Sequence, residues 1–339
     1  MRPEADALLI PRLIEEQNFA EVAKQLTSLS IDEITPQLLE KVVDSTVQTG
    51  DPTLSELVVS ELISRKQIKL AVQLFHKLTK HKVVVSQPLY VSLIQALAGQ
   101  NDIDGAVMAY YHLKDSGQNI RVETYAGIVD AYTNVGDMIN AKRVFDEMYK
   151  CGFNADVRTY ISMINGYAKR NNSSGISGIY NLLRVDVHVE PDYELYQALL
   201  RAYGQIGDLN MVFRLWDGIL VSNITIDGPL VKTIFQICGR YGALARAQAV
   251  WRKLHIASFQ FDSETYTAYM VALIENGFSQ PALELLLSMK QVNLELDDKC
   301  ASSISAAFGE ESSKEKEHFL QTVIEQFPHL TMGSFNAHA

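Results

Sequence analysis

From Val122 onward the apolar positions arrive in two bursts. Tyr125, Ile128, Val129 and Tyr132 fall at i, i+3, i+4 and i+7, the stripe of a helix buried along one side. Gly136 interrupts, and Ala141, Val144, Phe145 and Met148 then repeat the same spacing. Gly152 and Asp156 follow as helix-stop and helix-start signals. The pattern predicts a helical hairpin of 35 residues, Val122–Asp156.

The same eight columns recur along the chain. Tyr160, Met163, Ile164 and Tyr167 open the next unit and Ile176, Ile179, Tyr180 and Leu183 close it. An Asp column at Asp156, Asp192, Asp227, Asp262 and Asp297 advances by 36, 35, 35 and 35 residues. Seven units result: 52–86, 87–121, 122–156, 157–192, 193–227, 228–262 and 263–297. Residues 1–51 read as a helical cap, with helices near 5–16, 19–29 and 36–48 whose register the columns do not fix. Residues 298–339 read as a degenerate repeat and a cap, with a first helix over 298–308 and a last one ending near Phe327. A hairpin this short buries its stripe only against its neighbours. The expected fold is therefore all-α, a right-handed superhelical solenoid of helical hairpins.

The run V-E-T-Y-A-G-I-V-D-A-Y (122–132), followed by G-D-M-I-N-A-K-R-V-F-D-E-M-Y-K-C-G-F-N-A-D (136–156), resembles the pentatricopeptide repeat family. S-E-T-Y-T-A-Y (263–269) opens another good copy. The tetratricopeptide repeat has a 34-residue period and a W-x-x-L-G-x-x-Y opening that is absent here. The resemblance implies binding of RNA, single-stranded or structured, in organellar processing, stability, translation or ribosome maturation. It implies a mitochondrial location, with the cytoplasm as the alternative. In the family's scheme one base is read per repeat, by the residue after the helix-opening Tyr together with the unit's last residue. Here those pairs are Glu56/Ser86, Val91/Arg121, Ala126/Asp156, Ile161/Asp192, Gln197/Asp227, Lys232/Asp262 and Thr267/Asp297. Thr267/Asp297 matches a pair that the family associates with guanine. Val91, Ala126 and Ile161 offer a base edge no donor or acceptor. A ribosomal RNA or another structured organellar transcript therefore fits better than a target read base by base.

Charge narrows this further. The formal net charge is −10 and the pI near 5.3, so contact with phosphates must rest on local basic positions. Gly228–Phe261 carries Lys232, Arg240, Arg246, Arg252 and Lys253 without one carboxylate, and Arg65–Lys82 is likewise free of acids. Lys169 shares the column of Arg240, at the end of a first helix, on the side expected to line the concave surface. Lys169, Lys232, Arg240, Thr267 and Asp297 are the candidate RNA-binding residues. The competing reading of the Asp column is helix capping, and Trp216 and Trp251 share a second-helix column that reads as core.

No catalytic constellation is expected. The eight histidines are scattered, and Cys151, Cys238 and Cys300 form no C-x-x-C pair, so neither a metal, a cofactor nor a disulfide framework is expected. No apolar run has the length of a membrane span, so no membrane insertion is expected. Glu4 and Asp6 make residues 1–12 a poor signal peptide and a poor presequence. Alongside RNA, the partners expected are other proteins of a ribonucleoprotein assembly. The alternative function is a protein scaffold that reads no RNA itself.

Overall fold

The computed structural model describes residues 36–222, 224–309, 314–330 and 335; the helices expected near 5–16 and 19–29 lie outside them. Among the described residues every regular element is an α-helix. After α1 (Pro36–Thr49) come seven hairpins. They are α2 (Thr53–Ser64) with α3 (Ile68–Lys80), α4 (Gln87–Gly99) with α5 (Ile103–Asp115), α6 (Val122–Val135) with α7 (Met138–Lys150), and α8 (Val157–Lys169) with α9 (Ser173–Val185). Then follow α10 (Tyr193–Ile206) with α11 (Leu209–Val221), α12 (Gly228–Arg240) with α13 (Leu244–Ile256), and α14 (Ser263–Ile274) with α15 (Ser279–Gln291). The chain ends in α16 (Asp298–Ala307) and α17 (Lys314–Gln326). Two compact units divide it, Met1–Glu190 and Pro191–Ala339.

The turn inside each hairpin has one chemical solution. Lys66, Asn101, Gly136, Asn171, Gly207, Gly242 and Gly277, one per repeat, all adopt a left-handed backbone, with φ between 51° and 81°. The next residue's N–H then reaches back to the last turn of the first helix, as Asp137 N does to the Tyr132 carbonyl at 2.9 Å. This six-residue closure satisfies carbonyls that the helix end would leave bare. Where that next residue is Asp or Asn, its side chain also caps the second helix: Asp102, Asp137, Asn172 and Asp208 accept from Gly105, Asn140, Gly175 and Met211 N–H at 2.9–3.2 Å.

Within each unit the first helices pack side by side in succession, α2 to α4 to α6 to α8, and α10 to α12 to α14 to α16. Each second helix packs against the first helix of its own hairpin. Between repeats the recurring joint is an aromatic edge. Phe75 meets Tyr90 at 5.4 Å and 86°, Phe145 meets Tyr160 at 5.8 Å and 75°, and Trp251 meets Tyr266 at 5.0 Å and 80°. In each pair a second-helix ring sits edge-on to the Tyr that opens the next repeat, a geometry favoured by the ring quadrupoles. Trp216 is fully buried, but Trp251 is only half-buried, stacked on Phe261 at 4.1 Å. The shared column therefore does not give both indoles the same core position, because the aromatic neighbours of Trp251 hold it at the edge of a groove.

Candidate nucleic-acid interface

Each first helix from α8 onward begins on an aspartate whose carboxylate takes a backbone N–H three residues on. Asp156, Asp192, Asp227, Asp262 and Asp297 accept from Thr159, Leu195, Leu230, Thr265 and Cys300 at 2.7–3.1 Å. At Asp262 the box is reciprocal, with Thr265 Oγ1 accepting from Asp262 N at 3.0 Å. These contacts are caps, each worth about 1 kcal/mol. In each of these bonds the acceptor is Oδ1. The Cys300 N–H holds the Asp297 carboxyl below the usual carboxylate range.

α4 and α6 lack such an aspartate, and α6 starts on Arg121, which makes no side-chain cap. Gln87 of the preceding repeat supplies one. Its Oε1 accepts from Arg121 N at 3.0 Å and from Thr124 Oγ1 at 2.8 Å, and its Nε2 donates to the Asn119 carbonyl at 2.8 Å. Ser86, at the start of α4, is held similarly by Glu56, whose Oε2 accepts from Ser86 Oγ at 2.9 Å. Glu56/Ser86 is thus bonded to itself.

The candidate cations are unequal. Lys169 and Arg240 are exposed at the ends of α8 and α12, with no ion pair among the described residues. Lys232 is half-buried on α12 and binds Glu264 Oε2 of α14 at 2.5 Å. Glu264 Oε1 is in turn 3.4 Å from Lys299 Nζ of α16. A Lys–Glu–Lys bridge thus crosses three successive first helices and carries one net positive charge. The Lys232 ammonium, first through its hydrogen bond and then through its charge, holds the Glu264 carboxyl below its ordinary range. Lys299 was open to discovery in the sequence. It stands one 35-residue step beyond Glu264, in the repeat where the apolar columns fade.

Thr267 and Asp297 are placed differently from each other. Asp297 is exposed, whereas Thr267 is 5% exposed and its hydroxyl donates to the Ser263 carbonyl at 2.7 Å. Thr267 can donate to a base only by releasing that bond, and with the bond kept its oxygen can act only as an acceptor. In the first unit, a groove of about 450 Å³ opens between the starts of α6 and α8, where Ala126 and Asp156 face each other. Its rim carries Glu123, Asp156 and Glu190, with His188 as the neighbouring basic residue. A phosphate here meets repulsion from three carboxylates.

Among the described residues no cluster of His, Cys, Asp or Glu is placed to hold a metal ion. No described helix is long and apolar enough to cross a membrane.

The sequence matches the PPR repeat family over residues 120–169 and the PPR repeat over 158–186 and 194–224. No curated protein matches the chain. Among solved structures, the pentatricopeptide repeat protein PPR10 from maize aligns with a TM-score of 0.67 at 15% identity, covering 96% of this chain and 49% of that one. The same protein in complex with an 18-nt psaJ RNA element aligns with a TM-score of 0.56 at 16% identity, covering 94% and 54%. The chain spans about half the length of either relative, and at these identities the likeness establishes the fold.

Proposed function

The chain is a pentatricopeptide repeat protein, and from that premise we propose that it binds RNA through its first-helix layer, holding the backbone more than reading the bases. The observation that carries this reading is the Lys232–Glu264–Lys299 bridge with Arg240 on the same helix as Lys232. It concentrates positive charge on first helices of a chain whose net charge is −10. A relative of the same fold is known in complex with RNA. Phosphate contacts position a nucleic acid without specifying its sequence. The pairs Val91/Arg121, Ala126/Asp156 and Ile161/Asp192 add little specificity, so a structured target such as a ribosomal RNA segment is the preferred ligand.

We place the activity in mitochondrial RNA maturation or ribosome assembly, as a binder and not a catalyst. Crosslinking in cells, with sequencing of the attached RNA, tests this reading. It expects one mitochondrial ribosomal or messenger segment, and recovery of no RNA overturns it. The acidic groove at Glu123, Asp156 and Glu190 favours the second reading, a protein scaffold whose first unit cradles a basic peptide.

A further inference from the structure

In the second unit, the two successive second helices α13 and α15 stand apart. The groove between them has a volume of about 660 Å³, the size of a typical ligand-binding cleft. Tyr269 and Leu273 of α14 form its floor, Trp251 one wall, and Leu285 and Phe278 the other. Phe278 is 50% exposed, a large apolar group left in water at the mouth. We propose that this groove is a docking site for an amphipathic helix of a partner protein, with apolar residues on its inner face and carboxylates along one flank.

Charge selects the flank. Arg252 lies on the α13 rim of the groove, exposed and without an ion pair among the described residues. Arg246, Lys253 and His255 stand on the exposed surface of the same helix, and residues 228–261 contain no carboxylate. Asp217 of α11, 3.7 Å from Lys253, is the acid that offsets this wall on its far side. The opposite rim carries Glu284 of α15. An occupant helix with carboxylates towards α13 and none towards α15 complements both rims, and α13, at 13 residues, is long enough to flank three to four turns of it.

The state of Trp251 decides between protein and nucleic acid. Besides its stack on Phe261, it lies 5.1 Å from Tyr269 and 5.0 Å from Tyr266. Its indole is therefore engaged within an aromatic cluster, and it offers the groove an apolar wall where a nucleobase requires an open stacking face.

Selection of a displayed library of random 16-residue peptides on the full chain tests the proposal. The enriched peptides are expected to carry apolar residues at i, i+3 or i+4, and i+7, with acids along one flank. The best of them, labelled and titrated by fluorescence anisotropy, should bind at least ~10-fold more weakly to Phe278→Asp and to Arg252→Glu, a difference of about 1.4 kcal/mol. Both side chains are exposed, so both variants should melt as the parent does; if Phe278→Asp melts early, Arg252→Glu carries the test. Lys232→Glu should leave peptide binding unchanged, which separates failure of this site from failure of the RNA reading. No enrichment, winners with basic flanks, winners held equally by both groove variants, or displacement by a uridine oligonucleotide each overturn the proposal.

Discussion

Lys232 Nζ lies 2.5 Å from Glu264 Oε2, across the joint between two successive first helices. The half-buried lysine of the candidate interface is thus already paired with its neighbour. RNA must break or share this pair, so Glu264 acts as a brake on binding. Glu264→Gln should raise RNA affinity, by about 3- to 10-fold at low salt, and steepen its salt dependence, since it frees Lys232 and Lys299 together. A filter-binding titration checks this; unchanged affinity would take both lysines out of the interface.

A close approach of backbones in the first-helix layer gives a stability prediction. A Cβ on Gly239 of α12 would stand 2.8 Å from the Ala272 Cα of α14, a backbone atom that cannot rotate away. Gly239→Ala should therefore destabilise the second unit by about 1–3 kcal/mol, despite the better helix propensity of alanine. Urea unfolding followed by circular dichroism measures it. A stabilised variant would show that the layer can slide to accept the methyl group.

Much of the fold was legible because the repeat multiplies weak signals. One Tyr or Asp says little, but a 35-residue recurrence of Asp156, Asp192, Asp227, Asp262 and Asp297 fixes where helices begin. The site was less legible, because it depends on which side chains meet across repeats. Lys232 and Glu264 stand 32 residues apart and occupy different columns, so no column revealed their pairing. Gln87 capping α6 from the preceding repeat escaped for the same reason. Trp251 shares its column with the buried Trp216, and only the packing of Phe261 and Tyr266 distinguishes them.

Acid should act on the capping aspartates. The folded-state carboxyl of Asp297 is depressed, so its contribution is present above the unfolded value of roughly 4 and is lost as pH falls through the folded value. Asp297→Asn keeps an acceptor for Cys300 N–H and removes the titration. The wild type should lose melting temperature on acidification below about pH 4 more steeply than this variant. Identical pH profiles would show that the cap contributes nothing measurable.

Base reading at Thr267 and Asp297 has its own signature. If the pair selects guanine, Thr267→Asn should move preference at one RNA position while leaving the others alone, as scored by selection from a randomised RNA pool. A uniform loss across all positions assigns Thr267 to its bond with the Ser263 carbonyl and to packing.

The charge reversal Lys232→Glu with Arg240→Glu tests the interface as a whole. Arg240 is exposed, so its reversal disturbs no packing, while Lys232→Glu places two carboxylates together at Glu264 and costs some stability locally. Circular dichroism should show unchanged helicity, with a small drop in melting temperature confined to the second unit. RNA binding should fall strongly, and the slope of log K against log salt should lose about 0.7 in magnitude for each phosphate contact removed from a single strand. The control must be a lysine without a structural role. Lys114 does not qualify, being paired with Glu147, nor does Lys290, which lies 4.7 Å from the Phe327 ring. Lys80, exposed at the end of α3 with no ion pair among the described residues, does. Lys80→Glu should leave both the affinity and the slope close to those of the parent. Equal losses in the double variant and in the control would mean that RNA responds to net charge alone, and the first-helix layer would then hold no defined site.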